Sequence, residues 1–124
     1  MNNPWVGMGA VFAALGVLAG AFGAHALSPH LDARALGWYR TAGEYLIWHA
    51  LALVAVGLWV QTHAAGRAAR VAAVAFVAGI VLFSGSLYAL ALGAPRAVAM
   101  LTPVGGLAFI VGWSAFAVGA WRRT

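Results

Sequence analysis

Side chains able to do acid–base or metal chemistry are few in this chain. Its 124 residues include two carboxylates, Asp32 and Glu44, and four histidines, but no cysteine. The lack of cysteine excludes disulfides, thiolate metal sites and a cysteine nucleophile. The sequence contains no zinc-protease helix motif, nucleophile elbow or phosphate-binding loop. Because Asp32 falls in a connecting segment, a catalytic carboxylate pair is also disfavoured. The sequence therefore predicts a protein that is not an enzyme.

Histidine is the residue type best suited to a ligand role in this composition. His25 and His49 are the candidates for holding a metal ion or a bis-histidine haem, and Glu44 would be a third metal ligand if the helices met closely. A zinc site needs three or four protein ligands, which this set barely supplies. We therefore expect no cofactor, and a haem or metal at His25 and His49 is the alternative.

The composition requires a membrane. Hydrophobic residues make up 65% of the chain, charged residues 7%, and the mean hydropathy is +0.93. A soluble domain of this size could not bury so much apolar surface. Four apolar runs cover about 5–27, 43–61, 71–92 and 101–121, each near the length of a membrane-spanning helix. We predict an all-α integral membrane four-helix bundle, one domain over residues 1–124, with short loops and a short interfacial helix within 29–42 that runs into the second span.

Polar side chains of the spans fall in one half of the membrane. The first and third helices run from the side of the termini, the terminus side, to the opposite side, the far side, and the second and fourth run back. Residues late in the first and third helices therefore lie at the same depth as residues early in the second and fourth helices. Six candidate site residues lie at that depth: His25, Glu44, Tyr45, His49, Ser84 and Tyr88. Polar groups at such depth normally face the bundle interior or a water-filled cavity.

Two interpretations of this cluster stay open. In the first, it forms a pocket on the far side that binds a small polar molecule, an ion or a lipid headgroup. In the second, the polar groups hydrogen-bond to each other and hold the helices together, and the protein is a structural or accessory subunit of a larger membrane complex. A transporter or channel ranks lower, because the other half of the spans offers no polar path.

The charged residues indicate lipid contact and an orientation. All seven basic residues are arginines, and they are scattered between the apolar runs, which argues against nucleic-acid binding. Four belong to the terminus side, Arg67, Arg70, Arg122 and Arg123, and three to the far side, Arg34, Arg40 and Arg96. Because arginine is enriched in cytoplasmic loops, we predict a multi-pass protein of the plasma (inner) membrane with both termini cytoplasmic.

Small residues recur at helical spacing in three of the spans. The pairs are Gly16–Gly20, Ala75–Gly79, Ala108–Gly112 and Ala115–Gly119. Such stripes let helix backbones approach closely. They indicate helix packing within the chain, or contact with a second copy or another membrane protein.

Ordered motifs of the chain resemble a known family. They comprise the Gly-Ala-Phe-Gly-Ala-His stretch of 20–27, Tyr45 with 49–53, 83–88, 102–106, and Gly112 with Trp113. In this order and spacing they resemble the small bacterial membrane proteins grouped as domain of unknown function 423, which are similar to the eukaryotic transmembrane protein 256 group. The resemblance covers essentially the whole chain. It implies a four-helix inner-membrane protein and no known reaction or ligand.

Overall fold

The computed structural model describes residues 3–64 and 66–123, except for the side chain of Arg123. The α-helices in these ranges are α1 (Trp5–Phe22), α2 (Ala33–Thr62), α3 (Arg67–Gly79), α4 (Gly85–Ala91) and α5 (Leu101–Arg123). A π-helical turn, Gly23–Leu27, extends α1, and another, Ile80–Ser84, joins α3 to α4. Short 3₁₀ turns occupy Ser28–His30 and Arg96–Met100. The same ranges contain no β-strand.

The described part of the chain has four stretches of helix that are long and apolar enough to cross a membrane: Trp5–His30, Ala33–Thr62, Arg67–Ala91 and Arg96–Arg122. The predicted all-α membrane fold is therefore confirmed. Each stretch is longer than the apolar run that predicted it, because polar and charged residues such as Thr62 and Arg67 lie within its end turns.

The helix predicted within 29–42 does run into the second span, and the two form one continuous element. Asp32 caps the start of α2, where its Oδ1 accepts a hydrogen bond of 2.8 Å from the backbone N–H of Ala35. From Ala33 the helix continues without interruption to Thr62. Glycine at positions 37 and 43 does not break it, because glycine keeps the backbone N–H that proline lacks. The predicted interfacial segment therefore forms the first turns of α2.

Helix α1 packs mainly against α2, through glycines. The buried residues of α1 are Gly9 and Gly16, and Gly23 is buried seven residues further on. A Cβ atom at Gly9 would lie 2.8 Å from the carbonyl oxygen of Ala50, so the two backbones are in direct contact. The predicted Gly16–Gly20 pair does not act as a unit, since Gly20 has nothing within 4 Å of its Cβ position.

Helix α5 packs mainly against α3 and the π turn that follows α3. Rings and glycines interlock in both directions here: Phe109 of α5 covers Gly79 of α3, and Phe76 of α3 covers Gly112 of α5. At Gly105 a Cβ atom would lie 2.8 Å from the Cα of Phe83, which again brings two backbones together. The small residues of these two helices are therefore used inside the chain.

The hydrophobic core lies between α2 and α3. Leu53 and Val56 of α2 and Phe76 of α3 are fully buried there. Ser84, at the end of the π turn, is also buried and donates a hydrogen bond of 2.8 Å to the carbonyl of Ala42. Helices α2 and α3 thus form the centre of the bundle, and the outer sides of α1 and α5 face lipid.

Candidate ligand-binding site

A cavity of about 460 Å³ opens between the far-side ends of α1 and α2. We call it the far-side cavity. Its α1 wall consists of small residues, Gly16, Gly20, Gly23 and Ala24, with Ser28 beyond them. Its α2 wall holds Leu36, Tyr39, Arg40, Gly43, Glu44, Ile47 and Trp48, and Tyr88 of α4 completes it. The cavity has room beside α1 because Gly20 carries no side chain and nothing lies within 4 Å of its Cβ position.

Two unpaired charges line this cavity. Arg40 and Glu44 are four residues apart, so they occupy one face of α2. Both are exposed. In the part of the chain that the structure describes, no ion pair joins them or connects either one to another residue. A charge in an apolar setting normally has a partner, so this arrangement suits a ligand that brings charges of both signs.

The Tyr88 hydroxyl is a third polar group at the cavity. Its oxygen is buried and has no hydrogen-bond partner among the described residues. The ring packs edge-on against Tyr39 with 5.0 Å between centroids. Tyr39, by contrast, donates its hydroxyl hydrogen bond to the carbonyl of Ala19. One tyrosine of this pair therefore joins α2 to α1, whereas the other has an unused polar group.

His49 lies in a different place, at a cleft between α2 and α5 that we call the central cleft. The cleft measures about 740 Å³ and is lined by Tyr45, His49, Phe83, Pro103, Gly106, Leu107, Phe109, Ile110 and Trp113. His49 is only 5% exposed and stacks on Phe109, with ring centroids 3.6 Å apart. Most of the lining is apolar or aromatic, which suits lipid chains more than a polar ligand.

Both ring nitrogens of His49 are occupied by protein groups. Nδ1 lies 2.8 Å from the backbone carbonyl of Tyr45, and Nε2 lies 3.1 Å from the indole Nε1 of Trp113. A carbonyl only accepts and an indole N–H only donates, so Nδ1 carries the proton and Nε2 accepts. His49 is therefore a neutral, fully hydrogen-bonded link between α2 and α5.

The structure separates the six residues that the sequence placed at one depth. Glu44 and Tyr88 line the far-side cavity, and Tyr45 and His49 line the central cleft. Ser84 lines neither, because its hydroxyl binds the carbonyl of Ala42.

His25 is exposed on the π turn after α1 and contacts neither cavity. The separation arises because α1 packs mainly on α2, whereas His49 points towards α5. Depth in the membrane therefore does not determine which residues become neighbours. Among the described residues no three histidine or acidic side chains are grouped as metal ligands.

The candidate set chosen from the sequence left out several residues that matter at these sites. Arg40 and Trp48 line the far-side cavity, and each lies four residues from Glu44 on α2. That spacing was a usable signal for Arg40. Trp113 is the partner of His49, but its distance in sequence gives no sign of that contact.

Comparison with known proteins gives a family and no activity. Residues 19–106 match a family described as "Protein of unknown function (DUF423)". A UPF0382 membrane protein of Haemophilus influenzae is 39% identical over 122 residues, which cover 98% of this chain and 97% of that protein. The UPF0382 inner membrane protein YgdD of Escherichia coli K12 is 42% identical over 118 residues, which cover 92% and 83%. No solved structure matches the chain significantly.

Proposed function

Since the chain belongs to the DUF423 family, whose relatives are named as membrane proteins without an activity, we propose a function from the geometry of the far-side cavity. The protein binds an amphipathic molecule there and catalyses no reaction. The polar head lies near Arg40 and Glu44, and the apolar tail lies between α1 and α2. The observation that carries this proposal is the Tyr88 hydroxyl, which is buried at the cavity with no partner among the described residues.

The charges of the cavity favour a zwitterionic head. A phosphate accepts hydrogen bonds from the Arg40 guanidinium, and an amine donates to the Glu44 carboxylate. The Tyr88 oxygen is covered in the ligand-free structure, so the side chain turns slightly when the head binds and then donates to one of its oxygens. Leaving a buried hydroxyl without a partner costs about 1–3 kcal/mol, so a ligand that supplies the acceptor is stabilised by this amount relative to one that does not.

The deeper wall of the cavity favours an apolar tail. Gly16 and Gly20 of α1 line this region together with Ile47 and Trp48 of α2. These side chains offer an alkyl chain apolar contacts, and Gly20 leaves space because nothing lies within 4 Å of its Cβ position. Phosphatidylethanolamine combines such a tail with a phosphate and a primary amine, and it is the probe we choose.

The test is binding of phosphatidylethanolamine to the detergent-purified protein, followed by native mass spectrometry and by the rise in melting temperature. We expect Tyr88→Phe and Glu44→Gln each to weaken binding about tenfold, the effect of losing one strong hydrogen bond. Because phosphatidylglycerol lacks the amine, Glu44→Gln should not weaken its binding.

The matched control is His25→Gln. His25 lies at the same end of the bundle but outside the far-side cavity, so this variant should bind phosphatidylethanolamine like the wild type. Equal binding by wild type, Tyr88→Phe and Glu44→Gln would contradict the proposal. So would a stoichiometric protein partner that covers the cavity after purification in native lipid, since that result favours an accessory subunit.

We also propose that both termini are cytoplasmic. The support is the greater number of arginines on the terminus side, four against three on the far side. The chain has no cysteine, so single-cysteine variants report orientation without background. In intact cells a membrane-impermeant maleimide should label His30→Cys and spare Thr62→Cys, and the reverse pattern would invert the orientation.

A further inference from the structure

The terminus side has positive charge without acidic side chains to neutralise it. Its four arginines are Arg67, Arg70, Arg122 and Arg123. Asp32 and Glu44 are the two carboxylate side chains of the chain, and both belong to the far side. No acidic side chain can therefore pair with these arginines, which favours an anion supplied by another molecule.

Two of these arginines line the same cavity. It measures about 220 Å³ and is lined by Trp59, Ala64, Gly66, Arg67, Ala68, Ala69, Gly119 and Arg122. We call it the terminus-side cavity. Arg67 comes from the first turn of α3 and Arg122 from the last turn of α5. Neither guanidinium is in an ion pair or hydrogen bond with any residue in 3–64 or 66–123 whose side chain is described.

Helix packing fixes the position of this arginine pair. A Cβ atom at Gly119 would lie 3.3 Å from the Cβ of Ala68, so α3 and α5 are in close contact beside the cavity. Arg67 is adjacent in sequence to Ala68, and Arg122 lies three residues after Gly119. The two positive side chains are thus positioned by the backbone, while the rest of the lining is mostly small or aromatic.

We propose that the terminus-side cavity binds a phosphate group. Each guanidinium donates paired N–H groups that match phosphate oxygens, and a phosphate has enough oxygens to accept from both arginines at once. The cavity lies at the helix ends, the depth at which lipid phosphates are found. An anionic phospholipid is one source of the phosphate and a soluble phosphate compound is the other.

The experiment compares two double variants that remove the same charge. Arg67→Gln with Arg122→Gln changes the cavity, and Arg34→Gln with Arg96→Gln changes the far side. Phosphatidylglycerol, phosphatidylcholine and inorganic phosphate are added separately to each detergent-purified protein, and the rise in melting temperature and the bound lipid are measured. We expect the first variant to bind phosphatidylglycerol at least tenfold more weakly than the wild type, because each basic residue near anionic lipid contributes severalfold.

The outcomes separate the sources and test the site. Stabilisation by phosphatidylglycerol but not by inorganic phosphate assigns the phosphate to a lipid, and stabilisation by both assigns the site to phosphate in general. Equal losses in the two double variants, or no loss in the first, would overturn the proposal. If the glutamine variant fails to fold, Arg67→Lys with Arg122→Lys keeps the charge and removes the paired donors, and it should bind more weakly than the wild type.

This inference does not depend on the proposed function. The far-side cavity is expected to prefer phosphatidylethanolamine and to respond to Glu44→Gln, whereas the terminus-side cavity is expected to prefer phosphatidylglycerol and to respond to the Arg67 and Arg122 variants. Each site can therefore fail its test while the other passes.

Discussion

The α1–α2 pair and the α3–α5 pair each pack along a stripe of glycines, but with different results. Glycine recurs at every seventh residue in both: at Gly9 and Gly16 in α1 and Gly23 in the π turn that extends it, and at Gly105, Gly112 and Gly119 in α5. A seven-residue repeat keeps one face of a helix against its partner along a left-handed crossing. Both pairs thus bring backbones together at one end of the stripe, at Gly9 and at Gly105.

The two pairs differ in what fills the space beside the glycines. In the α3–α5 pair, Phe76 and Phe109 each cover a glycine of the opposite helix, so the contact is closed on both sides. In the α1–α2 pair, Ile47 and Tyr39 cover Gly16 and Gly23 in the same way, but Gly20, which lies outside the stripe, has nothing within 4 Å of its Cβ position. The far-side cavity opens there. A small-residue stripe therefore permits close approach, but the residues opposite decide whether the result is a closed contact or a cavity.

The largest effect on the free energy of unfolding is expected in the α3–α5 pair, at Gly105. Gly105→Ala places a Cβ atom against the backbone of Phe83, which cannot rotate away as a side chain can. Overpacking of this kind costs typically 1–3 kcal/mol and occasionally more. We expect the free energy of unfolding in mixed micelles to fall by about 3 kcal/mol. Gly106→Ala is the matched control, because its Cβ would meet Phe83 ring atoms at an ordinary distance of 3.9 Å.

Gly9→Ala makes the corresponding change in the α1–α2 pair, beside which the far-side cavity opens. Its Cβ would lie 2.9 Å from the backbone nitrogen of Val54. Helix α1 is held mainly by α2 and can shift towards lipid, whereas α5 is held by rings on both sides of its stripe. We therefore expect a smaller loss, about 2 kcal/mol in the same unfolding assay. A loss as large as that of Gly105→Ala would show that α1 is as firmly held as α5.

Tyr39→Phe and Tyr88→Phe compare the hydroxyls of the two tyrosines that line the far-side cavity. The first variant removes the hydrogen bond to Ala19 and should lower the free energy of unfolding by about 1 kcal/mol. The second removes a hydroxyl without a partner among the described residues, so the ligand-free protein should not lose stability. A substantial loss for Tyr88→Phe in lipid-free detergent would show that its hydroxyl has a protein partner.

The smallest effect, and one of opposite sign, is expected at Gly20. Gly20→Ala adds a methyl group where nothing lies within 4 Å. Alanine is favoured over glycine inside a helix by roughly 0.5–1 kcal/mol, so the ligand-free protein should become slightly more stable. Destabilisation comparable to that of Gly9→Ala would mean that α1 and α2 are also in contact at Gly20, and that the far-side cavity is closed there.

The sequence was sufficient for the four membrane-crossing helices. Apolar runs identify membrane-crossing helices because every exposed position must be apolar, so no knowledge of the neighbours is needed. Glu44 and Tyr88 were both placed at the far side, and both line the far-side cavity. The start of α2 was placed too late, because the capping role of Asp32 was not recognised.

Neighbour relations between helices required the structure. His25 and His49 share a depth, yet His49 turns to Trp113 on α5 and His25 remains exposed. Likewise, the Gly16–Gly20 spacing could not show that only Gly16 faces α2. Rotation of each helix about its axis depends on all the side chains opposite it, and a single sequence does not specify which helix lies opposite.

The limited packing of α1 has a kinetic consequence. Because α1 is held mainly by α2, it can separate while the contacts of α2, α3 and α5 remain, and such partial opening costs less free energy than unfolding the whole chain. One wall of the far-side cavity belongs to α1 and the other belongs to α2. A bound molecule would therefore enter and leave by excursions of α1, on the microsecond-to-millisecond timescale of collective helix motions. Amide hydrogen exchange should then be faster in α1 than in the buried part of α3, and a bound molecule should slow it in α1 first.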